Sequence, residues 1–327
     1  MKKIWKLWLL SIVAVFLLAA CGGNATEEKP KVDETETSQE ENKDGLAEEA
    51  YPITLTDAVG NEITLEKAPE KIVSMIPSNT EILFALDLAN EIVGVSDFDD
   101  YPAEAVEKEK IGGQEFNVEA IIALDPDIVF GHESAFGLSE EGYQQISDAG
   151  IPVFVIKNAA DFDETYKTIE TIGLLTDKQE EAEQIISTMK EKVQEVLTKL
   201  DAVEEEKTVF VETSPAPEIY TPGQNTFMQE MLDMIGAKNI ADDQEGWFVM
   251  EPEELVDRNP DVIIVMYDYI DTAVEDVYAR DGFDTITAIK EKQVIQVDEN
   301  ITSRTGPRLA EGLEAIAKAI YPEVFSE

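Results

Sequence analysis

Two segments of this chain repeat each other at a separation of 134 positions: Glu119-Ala-Ile-Ile-Ala-Leu-Asp-Pro-Asp-Ile-Val-Phe130 and Glu253-Glu-Leu-Val-Asp-Arg-Asn-Pro-Asp-Val-Ile-Ile264. Each reads as a short amphipathic helix, a Pro-Asp turn at Pro126 or Pro260, and an apolar run suited to a strand buried on both faces. A looser pair lies upstream of them, Thr80 to Leu88 and Phe227 to Ile235. A plan written twice calls for two α/β units, each with its own core. Further strands are expected at Ile72 to Ile76, Ile92 to Val95, Val153 to Ile156, Val209 to Glu212 and Val294 to Val297. They alternate with helical pattern, as the strands of parallel sheets do.

Between the copies, residues 176 to 201 carry apolar side chains at Ala182, Ile185, Ile186, Met189, Val193, Val196, Leu197 and Leu200, with no Gly or Pro among them. The three-and-four spacing predicts one helix, with Thr176 and Gln179 as a capping box. At 1.5 Å per residue it would run about 39 Å, the length of a lobe. The expected fold is therefore α/β: two similar three-layer lobes with mainly parallel sheets, over residues 51–175 and 204–327, joined by a single interlobe helix over 176–203. Such lobes leave a cleft in which a ligand fits.

The N-terminus carries its own instructions. Lys2, Lys3 and Lys6 precede an apolar run that ends in Leu18-Ala19-Ala20-Cys21. A basic start, a short apolar stretch and small residues before a cut mark a signal peptide over residues 1–20. The sole cysteine stands at the cut, as in the lipobox at which bacterial lipoproteins are diacylated, so Cys21 is the expected lipidation site. Residues 22–50 hold ten acids, three lysines and no aromatic residue, a composition that buries too little apolar surface to fold and so predicts an acidic tether.

With 70 acids against 25 basic residues, the chain's net charge of −45 disfavours nucleic acid and anionic lipid surfaces as partners. No nucleophile elbow, Walker loop, dinucleotide glycine pattern or multi-histidine motif appears. His132 is the one histidine, which disfavours a bare transition metal and leaves an organic or already chelated ligand.

Lys71-Ile-Val-Ser-Met-Ile-Pro-Ser-Asn-Thr-Glu81, Val93-Gly-Val-Ser-Asp-Phe-Asp-Asp-Tyr-Pro102, Ile122-Ala-Leu-Asp-Pro-Asp-Ile-Val129, Gly223-Gln-Asn-Thr-Phe227, Gly246-Trp247 and Arg304-Thr-Gly-Pro-Arg308 follow one another in this order. On these residues the chain from Tyr51 to Glu327 resembles the cobalamin and ferric-siderophore binding proteins of ABC importers. The resemblance implies a monomeric, non-enzymatic solute-binding lipoprotein without a cofactor, held by its lipid on the outer face of the cell membrane and serving a permease with ATPase subunits.

It also implies roles residue by residue. Glu119 and Glu253 match the glutamates that dock on the permease, one from each lobe. Phe98, Tyr220, Trp247 and Arg304 match pocket positions of the cobalamin-binding members, while Gly113 and Gly131 stand where those members carry tryptophans. Half of the first lobe's aromatic wall is thus missing, which ranks a ferric siderophore ahead of cobalamin, another corrinoid or haem. Phe116 and His132, in loops after strands, complete the expected ligand-binding set, with Phe136, Tyr267 and Tyr269 as further loop aromatics. A metal chelatase or hydrolase on a similar scaffold, and an extracellular sensor module, are the alternative readings.

Overall fold

The computed structural model describes residues 51–325; the expected signal over 1–20, the lipidated Cys21 and the acidic tether to residue 50 lie outside them. A hairpin of β1 (Ile53–Thr56) and β2 (Glu62–Leu65) opens the described chain. The first lobe follows with β3 (Ile72–Ser74), α1 (Pro77–Ala85), β4 (Ile92–Val95), α2 (Val118–Leu124), β5 (Ile128–His132), α3 (Glu133–Asp148), β6 (Val153–Ile156) and α4 (Phe162–Leu175). Helix α5 (Gln179–Leu200) leads to β7 (Thr208–Glu212), β8 (Tyr220–Pro222), α6 (Phe227–Met234), β9 (Lys238–Asn239), β10 (Trp247–Val249) and α7 (Pro252–Arg258). The second lobe closes with β11 (Val262–Val265), α8 (Ala273–Tyr278), α9 (Thr287–Lys290), β12 (Val294–Gln296), α10 (Glu299–Ser303) and α11 (Leu309–Ile320).

Each lobe is built on a four-stranded parallel sheet, in the orders β4-β3-β5-β6 and β9-β7-β11-β12. Counted within a lobe, both orders are second, first, third, fourth strand. The repeat seen in the sequence is the reason. Helices α2 and α7 both end on a residue in the left-handed conformation, Asp125 (φ 49°) and Asn259 (φ 48°), so the chain turns sharply into the strand that follows. One carboxylate of the Pro-Asp turn then ties that strand to its neighbour. Asp127 Oδ2 accepts from the Glu70 and Lys71 amides at 2.8 and 3.0 Å, and Asp261 Oδ2 accepts from the Thr208 amide at 2.9 Å.

Three apolar layers result. Outer cores lie on one side of each sheet, around Ile121, Val129 and Ile146 in the first lobe and around Leu255, Ile263 and Phe283 in the second. The third core is shared: it runs from Ile82, Leu83 and Ile169 through Ile186, Met189, Val193 and Val196 of α5 to Met228, Leu232, Leu313 and Ile316. Each such side chain contributes roughly 1.5 to 3 kcal/mol by leaving water, so separating the lobes would expose much of what stabilises either one.

Helix α5 begins three residues later than its pattern predicts, and the expected capping box does not form. Thr176 instead closes α4, its hydroxyl donating to the Ile172 carbonyl at 2.7 Å, and Asp177 turns the chain at φ 59°. The twenty-two residues of α5 span about 33 Å. Helices α4 and α5 form an αα-hairpin that crosses closely at Gly173, where an added Cβ would lie 2.7 Å from Ala182 Cβ. Helix α11 packs on the same α5 from the second lobe, joined through the Glu314 carboxylate to Lys192 at 2.8 Å.

Candidate functional site

The carboxyl ends of parallel strands are where open α/β sheets place ligands, because the loops there are free to vary. In the first lobe those ends present Ile76, Pro77 and Ser78 after β3, Phe98 after β4, His132 closing β5, and Asn158 after β6. From the second lobe come Phe227 and the segment from Glu299 to Thr305 that follows β12. Together these line a cavity of about 440 Å³ between the lobes. A larger groove, about 870 Å³, runs along α5 and α11 and is lined by helix side chains such as Gln184, Ile185, Thr188 and Ala315 rather than by strand-end loops.

Arg304 reaches the cavity already bound. Its Nη1 donates to Glu81 Oε1 at 2.8 Å and to Asp100 Oδ1 at 2.7 Å, both on the first lobe. Arg308 completes a fork on the same carboxylate, Nε to Oε2 at 2.8 Å and Nη2 to Oε1 at 2.7 Å, with its guanidinium 3.7 Å above the Tyr101 ring. Glu81, on α1 and 2 % exposed, therefore holds two arginines of the opposite lobe. Sequence reading missed it because a glutamate inside a helix of a chain with 70 acids carries no local signal.

His132 was expected in a loop; it is the last residue of β5 and is buried. Its ring caps α3, Nδ1 accepting from the Ser134 amide and lying 2.8 Å from the Ser134 hydroxyl. That leaves Nε2 as the protonated nitrogen of the neutral ring. Burial, opposed only by the nearby Glu133 charge, pushes its pKa down to about 4, so the ring is uncharged at neutral pH.

The aromatic set divides. Phe98 is 56 % exposed in the cleft, its ring filling the place a side chain at Gly113 would take, with Cζ 3.0 Å from an added Cβ. Tyr143 fills the equivalent space at Gly131. Strands β8 and β10 pair so that Tyr220 lies opposite Val249 and Pro222 opposite Trp247. Opposed and alternate residues share a face, which puts Tyr220, Trp247 and Val249 together on the exposed side of this ribbon. Trp247 also meets the cavity-lining Phe227, ring centres 5.6 Å apart. Phe116 is not brought to the cleft: it stacks on Tyr143 at 5.3 Å and over Gly142, within the outer core of the first lobe. Phe136 joins the same stack at 6.1 Å. Tyr267 is buried against Glu212, leaving Tyr269 exposed beside it.

Glu119 and Glu253 are not among the residues that line this cavity. Each is the second residue of its short helix, α2 or α7, and each is exposed with no hydrogen bond or ion pair among the described residues.

Residues 72–301 match the family model described as periplasmic binding protein. The chain belongs to that family. It is thereby a substrate-binding protein of an ABC transporter and not an enzyme. The uncharacterized ABC transporter substrate-binding lipoprotein YvrC of Bacillus subtilis is 41% identical over 329 residues, with both chains fully covered. A cobalamin-binding protein of Halobacterium salinarum is 28% identical over 282 residues, covering 83% of this chain and 75% of its own. Among solved structures, a possible iron-binding, periplasmic solute-binding protein from Staphylococcus epidermidis superposes with a TM-score of 0.71 at 36% identity, covering 78% of this chain and all of its own.

In this binding protein the neutrality of His132 has a cost that acid reveals. An unfolded histidine titrates near 6.5 and the folded one near 4, so between those values the unfolded chain binds the extra proton and stability falls as pH falls. Denaturant unfolding should show a loss from this group of about 2 to 3 kcal/mol between pH 7.5 and 4.5. His132→Asn keeps a helix-capping acceptor and should lose that much less over the same range. Equal acid losses in the two proteins would mean that His132 is not held neutral.

Proposed function

We propose that this binding protein captures a metal chelate, a ferric siderophore ahead of a corrinoid or haem, in the 440 Å³ cavity between its lobes and delivers it to a membrane permease driven by ATPase subunits. The observation that carries the reading is the convergence of strand-end loops from both lobes on one cavity, with Phe98, His132 and Arg304 in its wall and Trp247 behind Phe227. The glycines at 113 and 131 support the order of ligands, since Phe98 and Tyr143 occupy the space that larger side chains there would need.

Cys21 is the proposed lipid anchor on the extracytoplasmic face. Cys21→Ser should leave the protein unprocessed or released to the medium, as neither the acidic tether nor the acidic lobes favour a membrane surface. Membrane retention of a mature-size Cys21→Ser protein contradicts the anchor.

Glu119 and Glu253 are the proposed contacts with the permease. Their equivalent places in the two halves suit a partner with matching two-fold symmetry, and their freedom from internal partners leaves both carboxylates available. Reversing either to Arg should leave chelate affinity, read by calorimetry with a ferric trihydroxamate, within error of wild type. Cellular uptake of the same iron-labelled complex should fall by roughly tenfold or more, because like charges would then meet at the interface. Normal uptake in both variants, or affinity lost in step with uptake, removes the docking role.

A further inference from the structure

The wall of the cavity is rich in hydrogen-bonding groups and poor in unanswered positive charge. Ser78, Ser134, Asn158, Asn300, Ser303 and Thr305 are uncharged. Arg304 is the cation on the wall, and Nη1 is committed to Glu81 and Asp100. Arg308 is committed to Glu81. Nε and Nη2 of Arg304 remain to donate, yet its charge is already balanced. On the other side Lys157, which feels the Glu133 charge beside His132, is paired to Glu164. Lys110 spends its ammonium on the carbonyls of Ser96 and Asp99 at 3.1 and 2.8 Å, holding the loop that carries Phe98.

The acids outnumber these cations. Glu299 lines the cavity with no basic side chain within ion-pair distance among the described residues; Arg304 reaches it only through space. Asp268 stands beside it, and burial together with that neighbour pushes the Glu299 carboxyl up. Two guanidiniums thus face four carboxylates: Glu81, Asp100, Asp268 and Glu299. The N-terminal ends of α1 and α3 reach the cavity wall at Ser78 and Ser134, but the Ser134 amide is spent on His132 Nδ1, and Glu133 in the first turn of α3 offsets the positive end of its dipole.

We propose that the cleft sorts chelates by charge, taking those that are uncharged or carry a free ammonium and rejecting polyanions, with Glu299 and Asp100 as the residues that set the choice. The ligand class is one whose oxygens are hydroxamate or amide carbonyls. Arg304 and the serine and asparagine side chains donate to such carbonyls, and Glu299 accepts a pendant ammonium. A tris-catecholate would bring three negative charges against the surplus carboxylates with no unpaired cation on the cavity wall to meet them among the described residues, and like-charge contacts in a desolvated cleft are strongly unfavourable.

This inference rests on the proposed capture of a chelate between the lobes, and one calorimetric panel separates the two. The full protein is titrated with an uncharged ferric cyclic trihydroxamate, a ferric linear trihydroxamate bearing one free ammonium, a ferric tris-catecholate trianion, and cyanocobalamin. At least one uncharged or cationic complex should bind roughly tenfold or more tighter than the tris-catecholate. Glu299→Gln should weaken the ammonium-bearing complex relative to the uncharged one, and Asp100→Asn, which leaves the Glu81 ion pair intact, should narrow the gap to the tris-catecholate. Tris-catecholate binding as tight as the others overturns charge selection while leaving capture in place. Binding of none of the four, nor of haem titrated in the same way, overturns the capture reading and the selection with it.

Discussion

One carboxylate holds the two halves of this protein in register. Glu81 stands on a helix of the first lobe that is buried along most of its length, and Arg304 and Arg308 come to it from the second. Removing three charges from water costs several kcal/mol each unless geometry and hydrogen bonds offset it. Here the carboxylate accepts from three guanidinium nitrogens at 2.7 to 2.8 Å, which gives the arrangement a single well-defined geometry. The clasp shares Arg304 with the cavity wall, so the spacing of the walls is tied to the same contact that neutralises the arginines. The shared core along α5 acts in the same direction. A continuous helix offers no loop about which the lobes could turn, and a large opening would expose Ile186, Met189 and Val193. Both features oppose a large opening of the cleft.

That rigidity shapes the electrostatics. In a chain with 45 more negative than positive charges, the sequence presents Arg304 as a pocket residue and carries no sign of its partners. The structure gives it carboxylates from the opposite lobe instead. Arginine then has two separable parts: its charge joins the lobes, while its remaining nitrogens are left to donate to the proposed ligand. With His132 neutral, the proposed recognition of a chelate in the cleft would rest on hydrogen bonds and aromatic faces, interactions suited to a bulky ligand with few net charges.

Much of the fold was legible because it depends on local pattern. The duplicated helix, Pro-Asp turn and apolar strand fixed the chain's two-sheet plan, and the turn aspartates prove to do the same work in both copies. The failures lie where a residue's role depends on distant neighbours. Thr176 looked like the start of a helix and ends another, because the left-handed Asp177 that separates them is hidden in an otherwise helical run. Phe116 looked like a loop aromatic free to meet ligand, and Tyr143 with Gly142 draws it into a core instead. His132 is expected in a loop after the strand, and a strand two residues longer than its apolar run takes it in and buries it. The Glu81 clasp joins residues 223 and 227 positions apart, a separation no periodicity reports.

The central claim is that ligand sits between the lobes, and hydrogen exchange tests it at the level of segments. Saturating the protein with a ferric trihydroxamate should slow exchange together in residues 76–78 and 132–134 of the first lobe and 299–305 of the second, with the surface of α5 and α11 unchanged. Protection confined to one lobe, or gathered along the groove lined by Gln184, Thr188 and Ala315, would place the ligand elsewhere and contradict the account.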